Sequence, residues 1–542
     1  MRDMHETPGS THAPFLATMD DARRSLPRGR TVSMLVIAVL ACAAPAIADT
    51  ASDVRYTDLL ARLGASAPTG AGIGVGQVEA NENGNYTPDQ ALTDFAGTSF
   101  VVNGSSPAAS WHATEVGKAL YGNSLSIAPG ITNVWCWSAS PFATSAYLKV
   151  GSGSLVPPIT PPAGLRVFNH SWIGSFGSTT NDNDALRRLD FSINRDQLTV
   201  VAGVNNGAGS AAQPMMAYAF NAIAVGLPNG AHSNAATPTG IDGPGRRKPD
   251  IVAPGQFTSF ATPVVGAAAA LLWDTADSHP ATVGNVNAAR AITVKAALLA
   301  GAQHRAGWSN GAPTTGSSKG ITNTPLDPLY GADLLDINRS HLIFTGGEAT
   351  GFAAPQASTF ERHAGWDYIP TVASGTSVYW SFRIHQPVDE VSVVATWHRL
   401  VATNFSSWNL QDLDLRLWKF VGGAPSSIAA SAGEGVYESG NVESISTIDN
   451  VEHLYIRNLT AGDYVLELKR KVGTQTSLPV CVAWYIPETT PSNPADLDND
   501  GTVGAADLSI LLSQWGTNGS ADLSGNNLVG AEDLSILLAS WG

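Results

Sequence analysis

The sequence predicts an α/β protein: a parallel sheet flanked by helices, followed by an antiparallel β-sandwich and a small α-helical repeat domain. Three observations predict it. Short apolar strands alternate with helical segments up to about residue 345, an order that builds parallel sheets covered on both faces. From Gly346 to Ile486, short runs rich in Val, Tyr and Trp are separated by turns such as Ala461-Gly462-Asp463, the pattern of an antiparallel sandwich. Last, Asp496–Gly516 (DLDNDGTVGAADLSILLSQWG) recurs as Asp522–Gly542 (DLSGNNLVGAEDLSILLASWG).

Composition agrees with several cores. A chain of 542 residues exceeds one ordinary domain, and 44% apolar against 14% charged residues excludes a mainly disordered protein. With 54 Gly and 32 Pro, turns are too frequent for a helical bundle. The formal net charge is -15; no Lys or Arg follows Lys471, and the last 71 residues hold eight Asp or Glu. A bare acidic tail is a poor nucleic-acid binder. Regularly spaced Asp there points to a divalent cation instead.

The first 48 residues read as a signal peptide. Arg28 and Arg30 precede an apolar run from Met34 to Ala44, and Ala46-Ile47-Ala48 offers a small-residue cleavage site before Asp49. The run is short for a bilayer span, so export without a transmembrane anchor is expected. Cys42 lies in that run, but Val39-Leu40-Ala41-Cys42 fits a lipoprotein cleavage box poorly. Cleavage leaves Cys136 and Cys481, expected as unpaired thiols in separate domains. Residues 49–69 form a short leader.

The α/β domain is assigned to 70–345. Gly72–Ala80 reads as a buried strand ending at a polar residue, with further strands at Tyr147–Val150, Leu165–Phe168 and Leu198–Ala202. Ala113–Leu120, Asp184–Ile193, Ala261–Leu272 and Ala288–Ala300 carry helical spacing or Ala-rich content. The sandwich, 346–486, is read from Val378–Ile384, Val391–Trp397, Leu413–Trp418, Leu454–Ile456, Tyr464–Leu468 and Val480–Tyr485. Residues 487–495 are a Pro/Thr/Ser linker, and 496–542 form the repeat domain.

In the first repeat, Asp496, Asp498 and Asp500 occupy loop positions 1, 3 and 5, Gly501 position 6 and Asp507 position 12. A hard cation such as Ca²⁺ takes six to eight oxygens, and this spacing gathers three carboxylates with the Thr502 carbonyl on one centre. The second copy offers Asp522, Ser524, Asn526 and Asp533, fewer charges and so weaker binding. A helix after each loop presents Leu508, Leu511, Leu512 and Trp515, or their counterparts, on one face. Two such EF-hand-like loop–helix units ending in Trp-Gly resemble a type I dockerin. The resemblance implies structural Ca²⁺ in the repeats, with a cohesin or cell-surface scaffold as partner.

Four segments of the α/β region carry the chemistry. Val75–Glu79 ends in an acid; His112 opens a helix in HATEVG; Val200–Gly207 (VVAGVNNG) runs from a buried strand into an Asn-Gly turn; and KPDIVAPG (248–255) leads to TSFATP (258–263). Acyl transfer by a serine needs a base for its proton, an acid to stabilise that base as a cation, and donors for the oxyanion. Glu79, His112, Asn205 and Ser259 supply these parts in chain order. Ser259 at a helix start leaves a backbone N–H for the oxyanion, and the Asn205 amide adds a second donor.

With these segments, residues 70–345 resemble a subtilase, a subtilisin-type serine peptidase. HATEVG parallels His-Gly-Thr-His-Val-Ala-Gly, TSFATP parallels Thr-Ser-Met-Ala-Thr-Pro, VVAGVNNG parallels the oxyanion-Asn strand, and NHSWIG (169–174) parallels the substrate-binding strand. The resemblance implies Ser259 as nucleophile, His112 as base, Asn205 as oxyanion donor, and a protein or peptide substrate. Residues 346–486 resemble the sandwich appended to some large subtilases. Four departures stand out: Glu79 replaces the family Asp, Phe257 and Ile173 replace cleft glycines, and only three residues separate Gly255 from Ser259. Two outcomes stay open. One is an exported endopeptidase; the other is an inactive pseudo-peptidase acting as a calcium-dependent surface binding or structural protein.

Overall fold

The computed structural model describes residues 35–37, 50–153, 156–233, 240–356, 363–428, 440–475, 478–487, 493–497 and 503–542, all in one compact unit spanning Met34–Gly542. A strand β1 (Leu35–Ile37) precedes two short helices, α1 (Thr50–Asp53) and α2 (Tyr56–Leu63). Then come β2 (Gly74–Glu79), β3 (Ser99–Asn103), α3 (Trp111–Tyr121), β4 (Asn133–Ser138), α4 (Ala139–Pro141), β5 (Leu165–His170) and β6 (Ile173–Ser175). The domain continues through α5 (Thr179–Asp196), β7 (Thr199–Gly203), β8 (Ile223–Gly226), β9 (Ile251–Val252), α6 (Thr258–Ser278), α7 (Ala291–Ala300) and α8 (Ile337–Thr345). Seven strands form one parallel sheet in the order β3-β4-β2-β5-β7-β8-β9.

β2 is buried along its whole length because strands pair with both of its edges and helices cover the sheet. At Gly76 a Cβ would come within 2.2 Å of the Phe168 ring, so glycine there lets β5 keep its aromatic. Helix α6 is apolar on every side and correspondingly buried, from Ala261 to Ala276, between the sheet and helices α3 and α7. The result places the C-terminal end of β2, the first turn of α3, the loop after β7 and the start of α6 around one cleft. Ligands of parallel sheets sit at this end of the strands.

The strand predicted at Tyr147–Val150 does not form. The chain there leaves a π-helical turn, Phe142–Ala146, and the Tyr147 ring stacks on Phe142 at 4.7 Å. Tyr147, Leu148 and Val150 are still buried, but their N–H groups bond the Phe142 and Ala143 carbonyls of that turn instead of a neighbouring strand. β3, β4 and β8 were not among the predicted strands.

Among the described residues the β region has two larger antiparallel sheets, as expected for a sandwich, and a two-stranded one of Leu400–Val401 with Trp408–Asn409. One larger sheet orders Ala364–Ile369, Val480–Tyr485, Val388–Trp397 and Val451–Leu459. The other contains Glu443–Ser444, Leu413–Val421, Gly462–Arg470 and Ser377–Ile384. Ile321–Thr322 pairs in parallel with Glu443–Ser444, so a segment assigned to the α/β domain joins this sheet, across the predicted boundary at 345/346. Helices α7 and α8 lie against the first sheet. Arg399, fully buried, reaches from the β region into the α/β domain: Nε donates to Asp190 at 2.7 Å and Nη1 to Asp242 at 2.6 Å, with the guanidinium 4.5 Å from the Phe220 ring centre.

The tail carries two helices, α9 (Ala505–Ser513) and α10 (Ala531–Ala539), around a small core of Ala495, Val503, Leu511, Ala521, Val529 and Leu537. The predicted apolar stripe splits. Leu508 and Leu511 face this core, whereas Leu512 and Trp515 are exposed, as are Leu538 and Trp541. Two nine-residue helices can cover only one edge of such a stripe. Cys136 and Cys481 are free and buried, as expected.

Candidate active site

Gln77 and Glu79 lie two apart on β2 and so point to the same face. Gln77 Nε2 donates to Glu79 Oε1 at 2.9 Å and to the Ala113 carbonyl at 2.8 Å, while the Tyr121 hydroxyl bonds Gln77 Oε1. Glu79 is thereby fixed, fully buried, with its other oxygen 2.8 Å from His112 Nδ1. The extra methylene of Glu is accommodated without loss of that contact. Neither Gln77 nor Tyr121 was singled out in the sequence; the i, i+2 spacing to Glu79 on one strand face is the signal that points to Gln77.

His112 sits in the first turn of α3, which Ser110 caps by accepting the Ala113 N–H at 3.0 Å. The ring lies 5.8 Å from that of Phe260. Burial acts to lower its pKa, but the charge and hydrogen bond of Glu79 and the charge of Glu82 outweigh burial, and the pKa is raised. Glu82, which the sequence reading passed over, lines the cleft beside His112 and Ser259.

Ser259 is the second residue of α6. Pro263, four residues on, has no N–H to give the Ser259 carbonyl; the Ser171 hydroxyl bonds that carbonyl at 2.8 Å. In return the Ser259 hydroxyl donates to the Ser171 carbonyl at 3.3 Å. The serine is therefore tied to the segment leading into β6. The Ser259 N–H belongs to the first helical turn, whose donors have no acceptor within the helix.

Asn205 is not brought to the cleft: its amide donates to the Ala211 carbonyl at 3.0 Å. The cleft-lining asparagine is Asn206. Its Oδ1 accepts from the Thr258 N–H at 2.9 Å and the Thr258 hydroxyl at 3.1 Å, which leaves the NH₂ end of the amide free to donate. Trp172 and Ile173 also line the cleft, whose volume is about 20 Å³. Burial lowers the His170 pKa to about 3, and its Nδ1 accepts from Trp172 Nε1 at 3.2 Å.

The outer edge of β6 pairs antiparallel with β1, Leu35 opposite Ser175 and Ile37 opposite Ile173. Otherwise the predicted signal segment lies outside the described residues. No helix among the described residues is long and apolar enough to cross a membrane.

In the tail, Asp498, Asp500 and Thr502 lie outside the described residues. Asp507 accepts the Leu497 and Gly504 N–H groups at 2.6 and 2.7 Å, and Asp533 accepts those of Ser524 and Gly530 at 2.8 and 2.7 Å. Asp522 accepts the Asn526 and Asn527 N–H groups at 3.1 and 2.7 Å and the Ser524 hydroxyl at 3.3 Å. Asp522, Ser524, Asn526 and Asp533 thus border one loop. The Asp496 N–H donates to the Asn493 carbonyl at 2.8 Å. Among the described residues no three His, Cys, Asp or Glu side chains form a group that could hold a metal ion.

A histidine bonded to a buried carboxylate and a serine at a helix start line one cleft at the carboxyl ends of parallel strands, the set of groups that a serine hydrolase uses. The comparison with known families is more specific. The subtilase family model matches residues 46–320, half of the chain, and the chain belongs to that family as a subtilisin-like serine peptidase. Among solved structures it is similar to the serine protease of Aeromonas sobria at 15% identity (TM-score 0.33; 77% of this chain, 88% of that one). The same protease with its ORF2 chaperone gives 16% identity (TM-score 0.32; 77% and 89%). The prenylagaramide maturation protease PagA gives 18% identity (TM-score 0.33; 55% and 98%). No curated protein matches the chain.

Proposed function

We propose that the protein is an exported serine endopeptidase that cleaves peptide bonds through an acyl-enzyme on Ser259. His112 takes the hydroxyl proton and returns it to the leaving amine. Glu79 replaces the family Asp and stabilises the imidazolium formed between those steps. The 2.8 Å contact between Glu79 and His112, in the cleft that Ser259 lines, carries this reading. The oxyanion donors are the Ser259 N–H and Asn206, in place of Asn205. The pairing of β1 with β6 supports an extended peptide as substrate, since that edge accepts an added antiparallel strand. The Arg-flanked apolar run before Ala48 supports export.

The test is labelling of the chain from Asp49 with a fluorophosphonate. Wild type is expected to label, and Ser259→Ala and His112→Ala are not. A folded, unlabelled wild type would favour the pseudo-peptidase, a reading that the narrowness left by Trp172 and Ile173 supports.

The repeats we assign to Ca²⁺. The fit rests on donor chemistry: Asp496, Asp498, Asp500, the Thr502 carbonyl and Asp507 in the first loop, Asp522, Ser524, Asn526 and Asp533 in the second are all oxygen donors at the right loop positions. Asp498→Ala is expected to weaken Ca²⁺ binding in calorimetry without changing peptide hydrolysis; equal affinity would remove the loop assignment. The exposed Leu512, Trp515, Leu538 and Trp541 support a cohesin or surface scaffold as the partner of this tail.

A further inference from the structure

We propose that Glu82 is a positioning residue for the peptidase reaction: it ties the first turn of α3 to the loop after β2 and sets a second carboxylate beside the His112 imidazole. This rests on the reading of His112 as the base. Family resemblance gives the histidine one carboxylate partner, and Glu82 stands outside every matched motif.

The geometry is specific. Glu82 Oε2 accepts the Ser110 hydroxyl at 2.5 Å and receives the His112 backbone N–H at 3.4 Å. Ser110 is itself the buried cap of α3. One carboxylate oxygen therefore holds both the cap and the residue that carries the imidazole. A carboxylate at a helix N-terminus is also favourably placed in the field of the helix.

The surroundings of His112 make that second charge felt. Glu79 approaches from β2 and Glu82 from the loop after it. On its own helix, Glu115 is paired with Lys118 at 2.7 Å. Helix α6 contributes Phe260 and Ser259, neither of them charged. Behind Glu79, burial pushes the Cys136 thiol up to about 12 and the Tyr121 hydroxyl well above its ordinary value, so both are neutral at working pH. The charges of two carboxylates thus act on one imidazole, and among the described residues no Lys or Arg is bonded to either. They stabilise the imidazolium of the reaction and keep the imidazole protonated to a higher pH, which moves the acid limb of activity upward.

Glu82→Gln keeps the size and an acceptor for Ser110 and removes the charge. In a pH series of fluorophosphonate labelling, each variant normalised to its own plateau, the acid-limb midpoint is expected to fall by on the order of half to one pH unit. Glu82→Asp, which restores the charge, is expected to return the midpoint toward wild type. An unchanged midpoint in Glu82→Gln would overturn the proposal, as would an equal fall in Glu82→Asp. The titration of His112 by NMR, assigned through His112→Ala, reads the same shift without any reaction at Ser259. A fall in that midpoint in a chain that does not label would retain the role of Glu82 beside the imidazole and reject the serine-peptidase reading alone.

Discussion

Ser259→Ala, His112→Ala and the double variant are expected to lose the same activity, on the order of 10⁶-fold in kcat, because nucleophile and base act as one unit. Glu79→Ala should lose less, about 10⁴-fold, since serine and histidine still meet but the imidazolium is left without its buried counter-charge. KM should change little in all of them. Glu79 touches His112 and Gln77, and its side chain is fully buried, so its removal acts on the transition state more than on substrate binding. Glu79→Asp sharpens the test. Shortening the side chain by one methylene withdraws the carboxylate by about 1.5 Å from a contact that is already ideal at 2.8 Å. The family residue should therefore be worse here than the native Glu. Steady-state kinetics on an extended peptide decides it: unchanged kcat in Glu79→Ala would take Glu79 out of the triad, and additive losses at Ser259 and His112 would deny that they work together.

Legibility in the sequence followed the range of the interactions. Glu79, His112 and Ser259 were legible as candidates because each sits in a local pattern: a strand end, a helix start, and TSFATP after KPDIVAPG. Asn205 and Asn206 could not be told apart that way. They are adjacent in a turn, and which amide faces the cleft depends on Thr258, far along the chain, whose N–H and hydroxyl both bond Asn206. Glu82 and Tyr121 were silent for the same reason, since Ser110 and Gln77 meet them only in the folded chain. Tyr147–Val150 had strand-like composition, but its backbone N–H groups bond back to Phe142 and Ala143 in the preceding turn, so no ladder forms. The two-residue strand Ile321–Thr322 gave no periodic signal at all, and its pairing with Glu443–Ser444 joins regions that composition alone separates.

That joining leads to the largest expected effect on stability, at Arg399. Its guanidinium and the carboxylates of Asp190 and Asp242 are fully removed from solvent. Asp242 keeps Arg187 at 2.7 Å if Arg399 is lost, but Asp190 keeps hydrogen bonds only from the backbone N–H groups of Phe220 and Asn221, at 3.3 and 2.8 Å, with the buried Arg246 charge nearby and not bonded to it. Arg399→Ala should therefore destabilise the folded chain by about 3–5 kcal/mol, the cost of breaking a buried pair from one side. Adding Asp190→Asn removes the stranded charge and should recover part of that loss, which a deletion that merely cost packing would not show. Denaturant unfolding followed by tryptophan fluorescence gives both values. A loss below about 1 kcal/mol in Arg399→Ala would mean that the pair behaves like a surface ion pair and that other contacts bind the β region to the peptidase domain. The catalytic cleft contains none of these residues, so fluorophosphonate labelling at low temperature should survive in Arg399→Ala. Labelling lost together with stability would instead make the β region part of what holds Ser259 and His112 in register.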